Sequence, residues 1–214
     1  MHLRNLIFAV ALGLAAGPAA VELAMAQTFY KSNETPSYTV ERTDGPIELR
    51  AYAPRLMAEV TVSGSQSQSI TAGFRVLAGY IFGGNDGGAK VAMTTPVTQV
   101  PGNTIAMTTP VTQMARDGTW LVQFMMPSEF TLDTLPKARD PNIRFVTVPA
   151  NRQIVLQFSG LAGAKVLTAK EGELRSWARG QGYSVAAGPF YYFYDAPMTL
   201  PWNRRNEVAF SLPN

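Results

Sequence analysis

Apolar residues alternate with polar or charged ones along residues 38–42 and 47–52, the two-residue period of strands with one buried face. Asp44-Gly45 between them carries the turn chemistry of a hairpin. Residues 56–62 read as a third strand after Pro54. The spacing then changes. Ile70, Phe74, Leu77, Ala78 and Ile81 recur at helical intervals, which predicts a helix over 70–82. The Ser/Gln/Gly stretch 63–69 offers N-caps for it, and Gly83-Gly84 stops it. The second half replays this order. Strands are predicted at 120–126, 144–148 and 153–159, and a helix at 164–179, whose Leu167, Leu174, Trp177 and Ala178 share a face before Gly180. Residues 190–194 and 206–212 return to strand patterning, while 27–36 is polar and reads as a flexible lead-in.

Two β-rich halves with one long helix each predict an α+β fold. The expected architecture is a distorted antiparallel β-barrel or curved sheet, flanked by two long helices, with an internal pseudo-two-fold repeat. No linker interrupts 37–214, so one domain is expected. A near-verbatim repeat marks its middle: residues 91–100 read VAMTTPVTQV and residues 105–114 read IAMTTPVTQM. Val and Thr favour a pleated strand, whereas Pro removes a ladder donor and keeps the preceding Thr extended. Two extended segments joined at Pro101-Gly102-Asn103 are expected, each with its proline at an edge or bulge.

Residues 1–26 have the layout of a secretory signal: Arg4, an apolar run over 6–21, and Ala24-Met25-Ala26 before Gln27. The run is shorter than the about 20 residues of a spanning helix and contains Gly13, Gly17 and Pro18. Export to the periplasm or medium, with no stable span after cleavage, is therefore expected. The chain carries 18 Lys+Arg against 15 Asp+Glu, a net charge of +3. Without Lys/Arg runs, that balance argues against nucleic acid as a partner and mildly favours small anionic ligands. Cysteine is absent, and the one histidine, His2, lies in the expected signal. A processed chain would then offer no Ser-His-Asp or Cys-His nucleophile, no ordinary zinc site and neither of the commonest haem ligands.

Beyond the repeat come Met126-Pro127-Ser128-Glu129-Phe130-Thr131-Leu132, Leu135-Pro136 and Asp140-Pro141. Tyr194-Asp195-Ala196-Pro197 and Arg204-Arg205-Asn206-Glu207-Val208 follow near the end. In this order, together with the MTTPV segments, these blocks resemble the SOUL haem-binding family over residues 37–212. The resemblance implies a distorted barrel akin to small-molecule effector-binding domains. It also implies a tetrapyrrole groove between the first helix and the facing C-terminal segment. Mapped here, that groove would use Phe74, Leu77, Ala78 and Ile81, with Arg75 as the one basic side chain of the helix able to meet a propionate.

Other candidates come from the residues themselves. Phe190, Tyr192 and Tyr194 share one face of an aromatic strand and could lie against a planar ligand; a buried two-sided strand is the plainer alternative. Met93 and Met107 hold equivalent places in the repeat, where core packing competes with thioether ligation. Arg204 and Arg205 suit a clamp on Asp195 or Glu207, or contact with a propionate. The glycine-rich stretch 83–88 lacks a following Gly-Lys-Ser/Thr and reads as a mobile loop, not a phosphate cradle. The leading expectation is an exported carrier, buffer or sensor for haem or another tetrapyrrole. Its binding would use Phe74, Arg75, Leu77, Ala78, Ile81, Met93, Tyr192 and Tyr194, without histidine or cysteine ligation. Its alternatives are a small-molecule hydrolase using Tyr and Glu, and an envelope interaction module without a small ligand. Catalysis is left open, with binding favoured.

Overall fold

The computed structural model describes residues 29–102 and 118–213. The second MTTPV copy, Met107 and the expected signal lie outside the described residues. A hairpin of β1 (Phe29–Tyr30) and β2 (Asn33–Glu34) leads into β3 (Tyr38–Asp44), β4 (Ile47–Tyr52) and β5 (Arg55–Ser63). Helix α1 (Gln66–Ile81), β6 (Val97–Pro101) and β7 (Thr119–Met125) follow. The chain continues through β8 (Arg144–Val148), β9 (Asn151–Phe158), α2 (Ala164–Gly180), β10 (Ala187–Phe193) and β11 (Asn206–Ser211). β3 to β11 form one antiparallel nine-stranded sheet in the order β3-β4-β9-β11-β10-β6-β7-β5-β8. The α+β class and the curved sheet with two helices are as the patterning predicts.

The strand order explains the curvature. β4 and β5 are joined only through Ala53-Pro54, and β8 and β9 only through Pro149-Ala150, yet each pair is six places apart in the sheet. Six spacings of about 4.8 Å would separate them by about 29 Å in a flat sheet. Three Cα–Cα steps reach about 11 Å. The sheet therefore curls into a half-barrel whose two flanks approach at these connections, and the Arg55 guanidinium donates to Asn151 Oδ1 between them at 3.0 Å. The order also shows the internal repeat. β4-β5-α1-β6-β7 matches β8-β9-α2-β10-β11 around the central β6–β10 pair, with β4 and β8 each pairing in the other half.

Both helices cover the convex face. α1 starts on a capping box: Ser65 Oγ accepts from Gln68 N–H at 3.4 Å, and Gln68 Oε1 accepts from Ser65 N–H at 3.1 Å. Its Leu77, Tyr80 and Ile81 bury against Ala58 and Val60 of β5 and Val122 and Phe124 of β7. α2 buries Leu167, Leu174 and Ala178 against Ile154 and Leu156 of β9 and Val208 and Phe210 of β11. Close approach of α1 depends on Gly73, where a Cβ would sit 2.5 Å from two Val122 side-chain carbons. Gly73→Ala should lower stability by about 1–3 kcal/mol through overpacking. Gly79→Ala, in open space on the same helix, should raise it by about 0.5–1 kcal/mol. Urea midpoints of the two variants moving in the same direction would contradict this packing.

Two loop expectations need correction. The segment expected as a flexible lead-in is, from Phe29, a hairpin tied to the domain: the Tyr30 hydroxyl and Lys31 ammonium both donate to Asp195, and Thr95 N–H donates to the Glu34 carbonyl. The glycine-rich stretch is pinned by buried Asn85, whose Nδ2 donates to the Tyr80 and Ala89 carbonyls while its Oδ1 accepts from Ala89 N–H. Composition shows glycine's freedom but not the one asparagine that removes it.

Candidate functional site

The concave face of the half-barrel holds a cavity of about 550 Å³, within the about 300–1,000 Å³ of small-molecule sites. Alternation along each strand decides which side chains enter it. Met57 and Glu59 of β5, Leu121, Gln123 and Met125 of β7, and Thr98 and Val100 of β6 line one side. Val146 of β8 lies beside Met57 on that side, and Phe190, Tyr192, Tyr194, Gln153 and Tyr52 line the other. Antiparallel register draws a polar row over an otherwise largely apolar floor: Glu59 faces Gln123, Gln123 faces Thr98, and Thr98 faces Tyr192. Within it Gln123 Nε2 donates to Glu59 at 2.9 Å, and the Tyr192 hydroxyl donates to Gln153 Oε1 at 2.8 Å. The cavity thus offers aromatic and thioether surface with a few fixed acceptors and donors, including the Glu59 carboxylate and the Arg55 guanidinium. Such a surface suits a planar, mainly apolar molecule carrying peripheral polar groups.

One end of the concave face is closed by a buried charge network. Fully buried Glu207 accepts two hydrogen bonds from Arg50 (3.0 and 3.1 Å), two from Arg205 (3.0 and 2.6 Å) and one from the Tyr194 hydroxyl (3.1 Å). Arg50 also donates to Glu48 at 2.7 Å and to the Tyr52 hydroxyl at 3.1 Å. The two guanidiniums stack on Tyr38 and Tyr194, at 4.4 and 4.1 Å from the ring centroids. Burial pushes the Glu207 carboxyl up, but Arg50 and then Arg205 outweigh it and hold the group below its ordinary value. Burial drives the Tyr194 phenol well above its ordinary value, and the Glu207 charge adds to this. Tyr192 is raised too, first by burial. Neither phenol is disposed to ionise.

The structure separates the residues that the sequence groups together. Tyr192 and Tyr194 line the cavity, with Tyr194 committed to Glu207. Leu77, Ala78 and Ile81 are buried on α1. Phe74 and Arg75 lie on the exposed part of that helix, although the Phe74 ring still meets Phe124 edge-on at 5.4 Å. Met93 packs against the core beneath α1 and not against the cavity. A single groove holding all eight is therefore not what the fold assembles. Arg205 forms the expected clamp on Glu207, whereas Arg204 donates to the carbonyls of Thr199 and Pro197. Reasoning from sequence misses Arg50, Gln123, Glu59 and Gln153, which look like the solvent-side polar residues of alternating strands. Among the described residues, no group of three or more His, Cys, Asp or Glu is arranged to hold a metal ion.

A curved antiparallel sheet with helices on its convex face and a cavity on its concave face defines a half-barrel class of α+β domain. Residues 33–211 match the SOUL heme-binding protein family, and the chain belongs to that family. Comparison with curated proteins gives no match. Among solved structures, the EcmrR C-terminal domain is similar at a TM-score of 0.56 and 12% identity, covering 78% of this chain and 97% of that one. A hydrolase from Listeria innocua is similar at 0.51 and 11% identity, covering 81% and 94%. The likeness also extends to 57% of the EcmrR chain solved in a complex with DNA. At these identities the likenesses establish the fold alone.

Proposed function

We propose that this protein is an exported carrier, buffer or sensor that binds haem or another tetrapyrrole in the concave cavity, mainly by apolar contact. The observation that carries the reading is the cavity itself: about 550 Å³ walled by Met57, Met125, Leu121, Val146, Phe190 and Tyr192, in a chain of the SOUL heme-binding family. The donor set fits a tetrapyrrole held by its faces. No histidine or cysteine lines the cavity, and holding ferric iron by Tyr192 would require ionising a phenol that burial has raised. Bound haem would bring the iron; the chain's part is to enclose the macrocycle, with Arg55 the cation at hand for a propionate. Affinity should then depend little on the metal. In paired titrations followed by absorbance and tryptophan quenching, hemin and metal-free protoporphyrin IX should bind within about tenfold of each other. A hundredfold preference for hemin, about 2.7 kcal/mol, would mean that a side chain ligates the iron.

A second reading rests on Glu59, a carboxylate facing the same cavity as Tyr192. With Glu59 as base, the site would hydrolyse a small lipophilic molecule. Turnover of reactive lipophilic esters that Glu59→Gln abolishes would favour this reading over carriage.

A further inference from the structure

The loop of residues 196–203, between β10 and β11, is built rigidly and yet turns its apolar side chains into water. Thr199 N–H donates to the Ala196 carbonyl, Asn203 N–H to Leu200 and Arg204 N–H to Pro201, at 2.9, 2.9 and 3.1 Å. The Arg204 guanidinium reaches back to the carbonyls of Thr199 and Pro197. Gly160 N–H donates to the Pro201 carbonyl at 2.9 Å, and Asn206 Nδ2 to the Gly160 carbonyl at 3.1 Å, which fixes Leu161 beside the loop. From this frame Met198 is 92% exposed, Trp202 70%, Leu161 60% and Leu200 52%. Single exposed apolar residues are ordinary; four on one braced projection mark an interaction site.

The chemistry around the loop selects the partner. Of the basic residues in 159–170 and 196–206, Lys170 pairs with Glu173 and Arg205 with Glu207, while Lys165 and Arg204 have no carboxylate partner among the described residues. Arg204 directs its guanidinium to backbone carbonyls, so no carboxylate neutralises it. Four projecting side chains fall short of the about 800 Å² that each partner contributes to a stable protein interface. They do suit insertion into a bilayer interface, where an indole sits at the headgroup level and basic side chains meet anionic lipid. We propose that this loop docks the protein on an anionic lipid surface, with Met198, Leu200 and Trp202 entering the apolar boundary. The proposal goes beyond tetrapyrrole binding and does not depend on it.

The chain has no cysteine, so Met198→Cys in the full-length protein takes a single environment-sensitive fluorophore at the tip of the loop. Because the reporter is local, attachment of the apolar N-terminal stretch to vesicles would leave it in water. Phosphatidylcholine vesicles containing phosphatidylglycerol should shift its emission to the blue. Phosphatidylcholine alone should act much more weakly, and raised salt should diminish the response. Adding Leu200→Ser and Trp202→Ser should weaken the apparent affinity about tenfold or more, with the thermal midpoint held because both side chains are exposed. A label that stays in water while the protein sediments with anionic vesicles would overturn the proposal, as would a response that the double substitution leaves unchanged. An equal shift on neutral vesicles would overturn the anionic assignment, and a concentration-dependent shift without lipid would assign the loop to a second copy of the chain.

Discussion

Truncating Glu207 to Ala should cost about 3–5 kcal/mol of stability, because it leaves two guanidiniums at one end of the concave face without their shared counter-ion. Arg50 is 1% exposed and would retain Glu48, the Tyr52 hydroxyl and the Tyr38 ring, of which Glu48 alone is an anion. Urea unfolding measures the loss. Replacing the pair together, as Arg50→Met with Glu207→Leu, should recover much of it, since a well-packed apolar pair removes the burial penalty along with the attraction. The network also fixes an acid limit. The folded-state Glu207 carboxyl lies below its ordinary value of 4.5, so its contribution is fully present above that pH and is lost as pH falls through the folded-state value. Wild-type stability should decline on acidification, with a shallower decline in Glu207→Gln. A single-variant loss below about 1 kcal/mol, as for a surface pair, would show that the network does not hold this end of the barrel.

The fold was legible in the sequence because its elements carry strong local signals. The alternation over residues 47–52 marks the observed bounds of β4, the strand predicted at 144–148 matches β8, and the stripe of α1 and the Gly73–Val122 contact both belong to a helix buried along one side. The site was much less legible. A helical stripe states which side is buried and leaves open what covers it; Leu77 and Ile81 meet the sheet, whereas Phe74 keeps part of its ring exposed. The polar residues of the cavity come instead from strand positions that read as solvent-facing. Glu59, Gln123 and Thr98 become neighbours only through register between β5, β7 and β6, which no local pattern encodes. Arg50 reads as an exposed charge in the alternation Ile47-Glu48-Leu49-Arg50 until β9 and β11 bring Glu207 against it. Tyr192 and Tyr194 were recognisable because an aromatic run is unusual on either face, and they alone among the eight candidates line the cavity.

Filling that cavity should separate the concave site from the outer face of α1. Gln123 is half-buried, stands in the middle of the polar row and projects into the open space. An indole at this position would occupy the cavity without displacing the core under α1. Gln123→Trp should therefore weaken protoporphyrin IX binding by about 100-fold, near 2.7 kcal/mol, while its thermal midpoint stays close to wild type. Gln123→Ala, which enlarges the space and removes the donor to Glu59, should keep most of the affinity. Phe74→Ala and Arg75→Ala, on the exposed part of α1, should bind as wild type does. The opposite pattern, with Gln123→Trp binding normally and the two helix variants failing, would move the ligand to the helix surface. Loss in all three variants together with a fallen midpoint would indicate damage to the fold, and urea unfolding of each variant distinguishes that outcome from a true change of site.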